Sequence, residues 1–159
     1  MTLTIRPATA ADTATVLAFI RGLAEYEKLL HQAVATEEDV AAALFGPNPR
    51  AFCDIAEWDG EPVGFAVWFY NFSTFWSRHG IYLEDLFVLP EHRAKGVGKA
   101  LLKTLARRCV EQNLRRLEWA VLDWNAPAIQ FYEGQGAEIL SDWRVCRVTG
   151  AALESMAKS

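Results

Sequence analysis

Residues 81–113 read IYLEDLFVLPEHRAKGVGKALLKTLARRCVEQN, and this stretch decides the fold. Residues 82–89 are rich in β-formers, with two acids, Glu84 and Asp85, in their middle. Pro90 lacks an N–H and fixes φ, so it ends the strand ladder. The short basic loop His92-Arg93-Ala94-Lys95-Gly96-Val97-Gly98-Lys99 follows. Val97, Leu101, Leu105 and Cys109 then recur at helical spacing, with Leu102 filling the stripe, which predicts an amphipathic helix. Strand, glycine-bearing basic loop and helix, in that order, present backbone N–H groups and a positive helix end to an anion. A phosphate-bearing ligand is the first functional expectation.

Outward from this stretch, the chain mixes helices and strands. Residues 3–6 alternate ahead of Pro7 and suit a short opening strand. Thr9 and Asp12 are candidate N-caps for a helix burying Val16, Leu17, Phe19, Ile20 and Leu23 and ending between Gly22 and Tyr26. Thr36-Glu37-Glu38-Asp39 opens a second helix, whose buried side holds Val40, Leu44 and Phe45. Residues 51–58 and 62–72 read as strands joined at Asp59-Gly60, a hairpin signal. The loop 73–80 leads to the strand 82–89, expected antiparallel to its predecessor. Past the long helix, residues 117–122 read as a strand parallel to 82–89, because a strand–helix–strand crossover gives that arrangement. Asn125 as N-cap and Pro127 in the first turn start a helix carrying Ala128, Ile129, Phe131 and Tyr132, closed by Gly134-Gln135-Gly136. Residues 137–148 read as two short strands broken near Ser141-Asp142. No repeat or linker interrupts the chain, so residues 1–159 are expected to form one domain.

The chain is 52% hydrophobic and 23% charged, ordinary values for a globular protein. Its net charge of −4 argues against a general nucleic-acid binder and is compatible with a cationic substrate. Cys53, Cys109 and Cys146 are far apart and odd in number, which precludes a complete disulfide framework and offers no metal spacing. Cys109 falls on the apolar stripe as a small hydrophobe. His31, His79 and His92 are scattered, so no metal is expected. No cleavable apolar leader is expected from the first residues, and no apolar run nears the ~18 residues of a membrane span. A soluble cytoplasmic protein with no membrane partner is expected.

The glycine loop excludes two nucleotide motifs. A P-loop requires Gly-x-x-x-x-Gly-Lys-[Ser/Thr]; Gly98-Lys99 supplies its end, but Arg93 and Ala100 occupy the first-glycine and hydroxyl positions. A dinucleotide fingerprint requires a small residue where Leu101 stands, and Glu118 falls at the start of a strand rather than its end. What remains is Arg-x-x-Gly-x-Gly at Arg93, Gly96 and Gly98. In this form the loop resembles the acetyl-CoA loop of the GNAT superfamily of N-acetyltransferases. Leu23-Ala24-Glu25-Tyr26-Glu27, Tyr82-Leu83-Glu84-Asp85-Leu86-Phe87-Val88 and Trp124-Asn125-x-Pro127-Ala128-Ile129-x-Phe131-Tyr132 are similar to the signatures of the diamine (spermidine/spermine) N-acetyltransferase family, which includes the thialysine acetyltransferases. The resemblance covers almost the whole chain, with the motifs in family order. It departs at Ala94, where the family often has glycine; a methyl fits there while φ stays negative.

The resemblance implies an α/β fold of the GNAT type: a mixed, mostly antiparallel sheet split at one parallel strand pair, with helices on both faces. It implies acetyl-CoA as the donor co-substrate, its pyrophosphate cradled by Arg93, Ala94, Lys95, Gly96, Val97, Gly98 and Lys99. Read alone, that loop is equally a solvated basic turn. Backbone groups of Leu86, Phe87 and Val88 would pair with the pantetheine arm where the parallel strands splay. Asn125 and Ala128 would meet its other side, Asn125 also serving as a plain N-cap. Tyr132 is implied as general acid, since a phenol of pKa about 10 can protonate a departing thiolate whose thiol pKa is about 8.5. Without the resemblance it reads as a half-buried helix aromatic.

Glu84 is implied as the base that takes a proton from the substrate ammonium, directly or through water; the alternative is a carboxylate paired with a nearby Arg or Lys. Unbroken alternation puts Glu84 and Asp85 on opposite faces, leaving Asp85 a structural acid. Tyr26 and Glu27, with Glu118 and Trp119, are substrate-side candidates, set against ordinary helix-end or surface chemistry. The activity implied is direct acetyl transfer, by a homodimer, to a small primary amine such as a polyamine, diamine or thialysine-like compound. Two alternatives stay open: a protein or peptide amine as acceptor, and a non-catalytic acetyl-CoA-binding sensor, which would need neither Tyr132 nor Glu84.

Overall fold

Asp59 and Gly60 both take positive φ, 51° and 86°, the two-residue turn whose twist matches antiparallel strands. It joins β2 (Phe52–Trp58) to β3 (Glu61–Ser73) in the computed structural model of the chain, which describes residues 1–158. β4 (Arg78–Val88) runs antiparallel to β3, and β1 (Leu3–Pro7) lies antiparallel along the other side of β2. β5 (Leu117–Glu118) is parallel to β4, which completes the order β1-β2-β3-β4-β5. The mixed, mostly antiparallel sheet with one parallel pair is the expected one.

The chain divides into two compact units, Met1–Leu122 and the residues from Asp123 onward. In the first unit, α1 (Thr13–Tyr26) and α2 (Glu37–Phe45) cover one face of the sheet. Thr36 caps α2, its hydroxyl accepting from the Asp39 N–H at 3.2 Å while the Asp39 carboxylate accepts from the Thr36 N–H at 2.9 Å. Val16, Phe19 and Val40 pack with Ile55, Phe65 and Phe87 of the sheet. The Phe19 ring lies 5.5 Å from that of Phe65 and 5.9 Å from that of Phe87. A Cβ on Gly22 would stand 2.7 Å from Cζ of Phe87, so glycine here allows α1 to approach β4 closely.

α3 (Val97–Glu111) covers the opposite face and buries Val97, Leu101, Leu102, Leu105 and Cys109, the residues of the predicted stripe. It is fastened by a buried polar junction. Asp54, 2% exposed, accepts from Nη1 and Nη2 of Arg108 at 2.9 and 3.2 Å and from Nε1 of Trp68 at 3.0 Å. The guanidinium also stacks 4.6 Å from the centre of the Trp68 ring. The junction thereby ties the last turn of α3 to β2 and β3.

The second unit contains α4 (Ala126–Gly134) and α5 (Gly150–Lys158). Asn125 caps α4 with its Oδ1 accepting from the Ala128 N–H at 3.4 Å, and Pro127 sits in the first turn, as expected. Two expectations fail. The strand at 117–122 keeps only Leu117 and Glu118, and residues 137–148 form no strand among the described residues. β-propensity becomes a strand only when a neighbour supplies the ladder, and among the described residues none is seen to do so. Among the described residues, no helix is long and apolar enough to cross a membrane.

Arg108→Ala should leave the buried Asp54 charge without its cation and cost about 3 kcal/mol in urea unfolding. An unfolding free energy within about 1 kcal/mol of wild type would show that the junction does not hold α3.

Candidate active site

β3 and β4 pair regularly except at one point. Val67 opposes Asp85 while Trp68 opposes Leu83, so Glu84 is an extra residue on β4. Such a bulge shifts the alternation by one and re-aims side chains. Val67 and Trp68 point to opposite faces, so Asp85 and Leu83 do as well, although they stand two apart in sequence. Asp85 therefore joins the α1 face with Phe65 and Phe87. Tyr82 opposes Phe69, which alternates onto the same face as Val67 and Phe65, so Tyr82 joins Asp85 there, and the charge of Glu84 at the bulge acts on both. The expectation that Glu84 and Asp85 face opposite sides assumed unbroken alternation, and the bulge removes it.

Gly22 brings the end of α1 onto the same region. Tyr26 is its last residue, and Glu27, half-buried, is its C-cap. Burial raises the Glu27 carboxyl above its usual range. Burial pushes the Asp85 carboxyl up to about 6, with the charges of Glu84 and Glu27 adding to the rise. Tyr82 is raised by burial first and then by Glu84 and Glu118. Glu118 opposes Tyr82 across the parallel pair, where it accepts from Arg116 Nε at 2.8 Å and from Asn71 Nδ2 at 3.0 Å. It is thus the paired member of the group, and Trp119 follows it half-buried. Sequence reasoning set Asp85 aside; two adjacent acids inside an apolar strand were the available signal.

A second part of the candidate site begins where the parallel pair stops. Among the described residues, β4 and β5 pair only at Ile81–Leu117 and Tyr82–Glu118, and β4 continues through Leu86, Phe87 and Val88 without β5 beside it. After Pro90 the chain turns through Ala94 at φ +61 and Gly96 at φ +85. The first value corrects the expectation of a negative φ at Ala94: the turn into the helix demands a left-handed residue there, and alanine supplies it with strain. No side chain caps α3, whose N-cap is Gly96. The amides of Val97, Gly98 and Lys99 head the helix, where no intrahelical acceptor exists and the dipole favours an anion. A Cβ at Gly96 would meet nothing within 4 Å, so the mouth of this loop is open. These features fit a pyrophosphate.

The loop's cations are held by aromatic faces. Arg93 Nε donates to the Val88 carbonyl at 2.9 Å, and its guanidinium lies 5.1 Å from the Tyr26 ring centre and 5.5 Å from that of Phe87. Lys95 Nζ is 5.6 Å from the Trp58 ring centre. Lys99 is exposed on the first turn of α3. In the second unit, Tyr132 is half-buried on α4, its ring centroid 5.5 Å from that of Phe131, and Asn125 is buried at the head of that helix with Ala128 in the first turn.

Residues 11–137 match the model of the Acetyltransferase (GNAT) family. The chain belongs to the GNAT acetyltransferase family. This acetyltransferase is 38% identical to the thialysine N-epsilon-acetyltransferase of Bos taurus, over 96% of each chain. It is 32% identical to an L-ornithine N5-acetyltransferase of Arabidopsis thaliana, over 97% of this chain and 87% of the plant enzyme. An integron cassette protein of V. cholerae superposes with a TM-score of 0.83 at 28% identity, over 100% of this chain and 99% of the other. The acetyltransferase is therefore an acyl-transferring enzyme with the GNAT fold.

Two outcomes follow from this geometry. A carboxyl raised from 3.8 to about 6 contributes stability fully present below about pH 4 and lost as pH rises through 6. Asp85→Asn should therefore stabilise the acetyltransferase at pH 7.5 and change little at pH 4, read from urea midpoints. Asp12, held at about 2 by Arg6, titrates below this window. Equal effects at both pH values would remove Asp85 from the acidic group. Ala94→Gly should relieve left-handed strain of about 1–2 kcal/mol, less about 0.5–1 of added chain entropy. A small rise in Tm is expected, and a fall would show that the turn is unstrained.

Proposed function

We propose that this acetyltransferase moves the acetyl group of acetyl-CoA to a primary amine of a small, multiply cationic molecule, a diamine or polyamine or a thialysine-like amino acid, and acts as a homodimer. The acidic face carries the reading: the bulge at Glu84 sets Glu84 and Asp85 on the side of β4 approached by Glu27. An alkyl ammonium has a pKa of about 10, so such an amine arrives charged. One of its nitrogens must lose a proton to attack, while a second stays cationic and pairs with a carboxylate. The names of the relatives, which act on thialysine and on ornithine, are those of acceptors with two amino groups.

In this proposal the first-turn amides of α3, with Arg93, Lys95 and Lys99, hold the pyrophosphate of coenzyme A. The backbone of Leu86, Phe87 and Val88 lines the pantetheine arm, and Asn125 and Ala128 meet its other side. Bound acetyl-CoA supplies a thioester carbonyl as electrophile. Glu84 takes the ammonium proton, with Asp85 beside it as a second acceptor. Tyr26 and Glu27 hold the far end of the amine, joined by Trp119 and Glu118. Tyr132 keeps a phenolic proton for the leaving thiolate. Transfer is direct. Cys53 is pushed up to about 12 and Cys109 is also raised, both by burial, so neither offers a thiolate nucleophile at neutral pH.

Turnover should be measured with acetyl-CoA over spermidine, spermine, short diamines, lysine, ornithine and thialysine, with monoamines of matched length for contrast. Diamines should exceed monoamines in kcat/KM by at least about tenfold, a charge-assisted contact's worth, and Glu27→Gln should narrow that gap. Tyr132→Phe should lower kcat by roughly 10²–10⁴. No turnover with any small amine would end the reading and turn the search to peptide amines.

A further inference from the structure

The basic loop is gripped from both faces of the sheet, and the grip on the α3 face has no part in the function proposed above. Trp58 is the last residue of β2 and pairs with Leu3 and Glu61. Alternation along β2 puts it on the face of Asp54, the one that α3 covers. There its half-buried ring lies 5.8 Å from the His92 ring and 5.6 Å from Lys95 Nζ. His92 Nδ1 is buried and has no hydrogen-bond partner among the described residues, so ring packing seats that side chain. Arg93 turns the other way, to Phe87 and to Tyr26 of α1. Ala94, at φ +61, therefore stands between anchors on opposite faces. The Trp58 platform is itself fixed. Beside it, Asp59 accepts from the Thr2 N–H at 2.7 Å and donates its own N–H to the Thr2 carbonyl at 2.8 Å, which ties the β2–β3 turn to the start of β1.

We propose that Trp58 is a positioning residue for the donor: through Lys95 and His92 it holds the basic loop in its anion-binding shape before any ligand arrives. The chemistry of the anchor carries the argument. A carboxylate would fix Lys95 equally well, but it would cancel the charge that an anion needs. An aromatic face attracts a cation and leaves its charge in place. Neither Arg93 nor Lys95 forms an ion pair among the described residues. Ring contacts on either side of Ala94 also keep it left-handed, a conformation that a free alanine abandons. Order already present in the loop does not have to be imposed by the ligand, and affinity rises accordingly. The inference rests on the assignment of this loop to the pyrophosphate of coenzyme A.

The test is a pair of titrations, with coenzyme A and with pantetheine, which lacks the pyrophosphate. Trp58→Leu should raise Kd for coenzyme A at least about threefold, the worth of one cation–π contact and its ring packing. Kd for pantetheine should stay within about twofold of wild type, because a local grip on the loop acts only through the phosphates. Trp58→Phe keeps an aromatic face and should restore the wild-type Kd for coenzyme A. Trp58→Met makes the same comparison if the leucine variant does not fold. A smaller change for coenzyme A overturns the role, and so does an equal rise for both ligands, which is the mark of general damage to the fold. A wild-type protein that binds the two ligands equally rejects the pyrophosphate reading of the loop, and the role of Trp58 with it.

Discussion

The surplus residue at Glu84 is the constraint on which the acidic face depends. In a regular ladder Glu84 and Asp85 would fall on opposite faces, one of them on the side of Leu83 and Trp68 beneath α3. A carboxylate there would lose its water with no cation positioned for it, since Arg108 is engaged by Asp54. The bulge avoids that burial and concentrates negative charge on the other face instead. The cost falls on Asp85, whose carboxyl is pushed up to about 6 by burial and then by the charges of Glu84 and Glu27. Crowded carboxylates of this kind are stabilised most by a cation brought from outside, the logic of a binding surface rather than of a core.

Two packing devices hold that surface in place. Gly22 lets α1 lie against the Phe87 ring, and the Phe19, Phe65 and Phe87 cluster fixes the helix that ends in Tyr26 and Glu27. On the other side, Arg108 in the last turn of α3 is clamped by Asp54 and Trp68, while the first turn is left uncapped at Gly96. A helix anchored at its C-terminal end and open at its N-terminal end presents its dipole outward without drifting.

Legibility followed the range of the interactions that decide each feature. The stripe from Val97 to Cys109, the Asp59-Gly60 turn and the Thr36 cap depend on neighbours a few residues away, and each was readable from the chain alone. The bulge was not, because register is settled by how Val67 and Trp68 pack, and they lie far from Glu84 in sequence. Residues 137–148 were misread for the same reason: their propensity is real, but a ladder needs a partner. α5 was legible and overlooked, since Ala151, Ala152, Leu153, Glu154, Met156, Ala157 and Lys158 are nearly all strong helix formers. The left-handed Ala94 breaks a local rule at the site itself, where such violations concentrate. For Tyr132 no local physics distinguishes an acid from a packed aromatic, and only the family resemblance singled it out.

Arg93 gives the two halves of the first unit a common residue. Its Nε is committed to the Val88 carbonyl, on the strand that would flank the donor's arm, while its plane rests against Tyr26 at the C-terminal end of α1. In the function proposed above, an anion that draws this guanidinium toward the loop would also shift a wall of the amine's channel. By linkage, an amine that repacks Tyr26 must alter affinity for the anion by the same factor. In that reading donor and acceptor would communicate through one cation and one ring, each ligand adjusting the other's site.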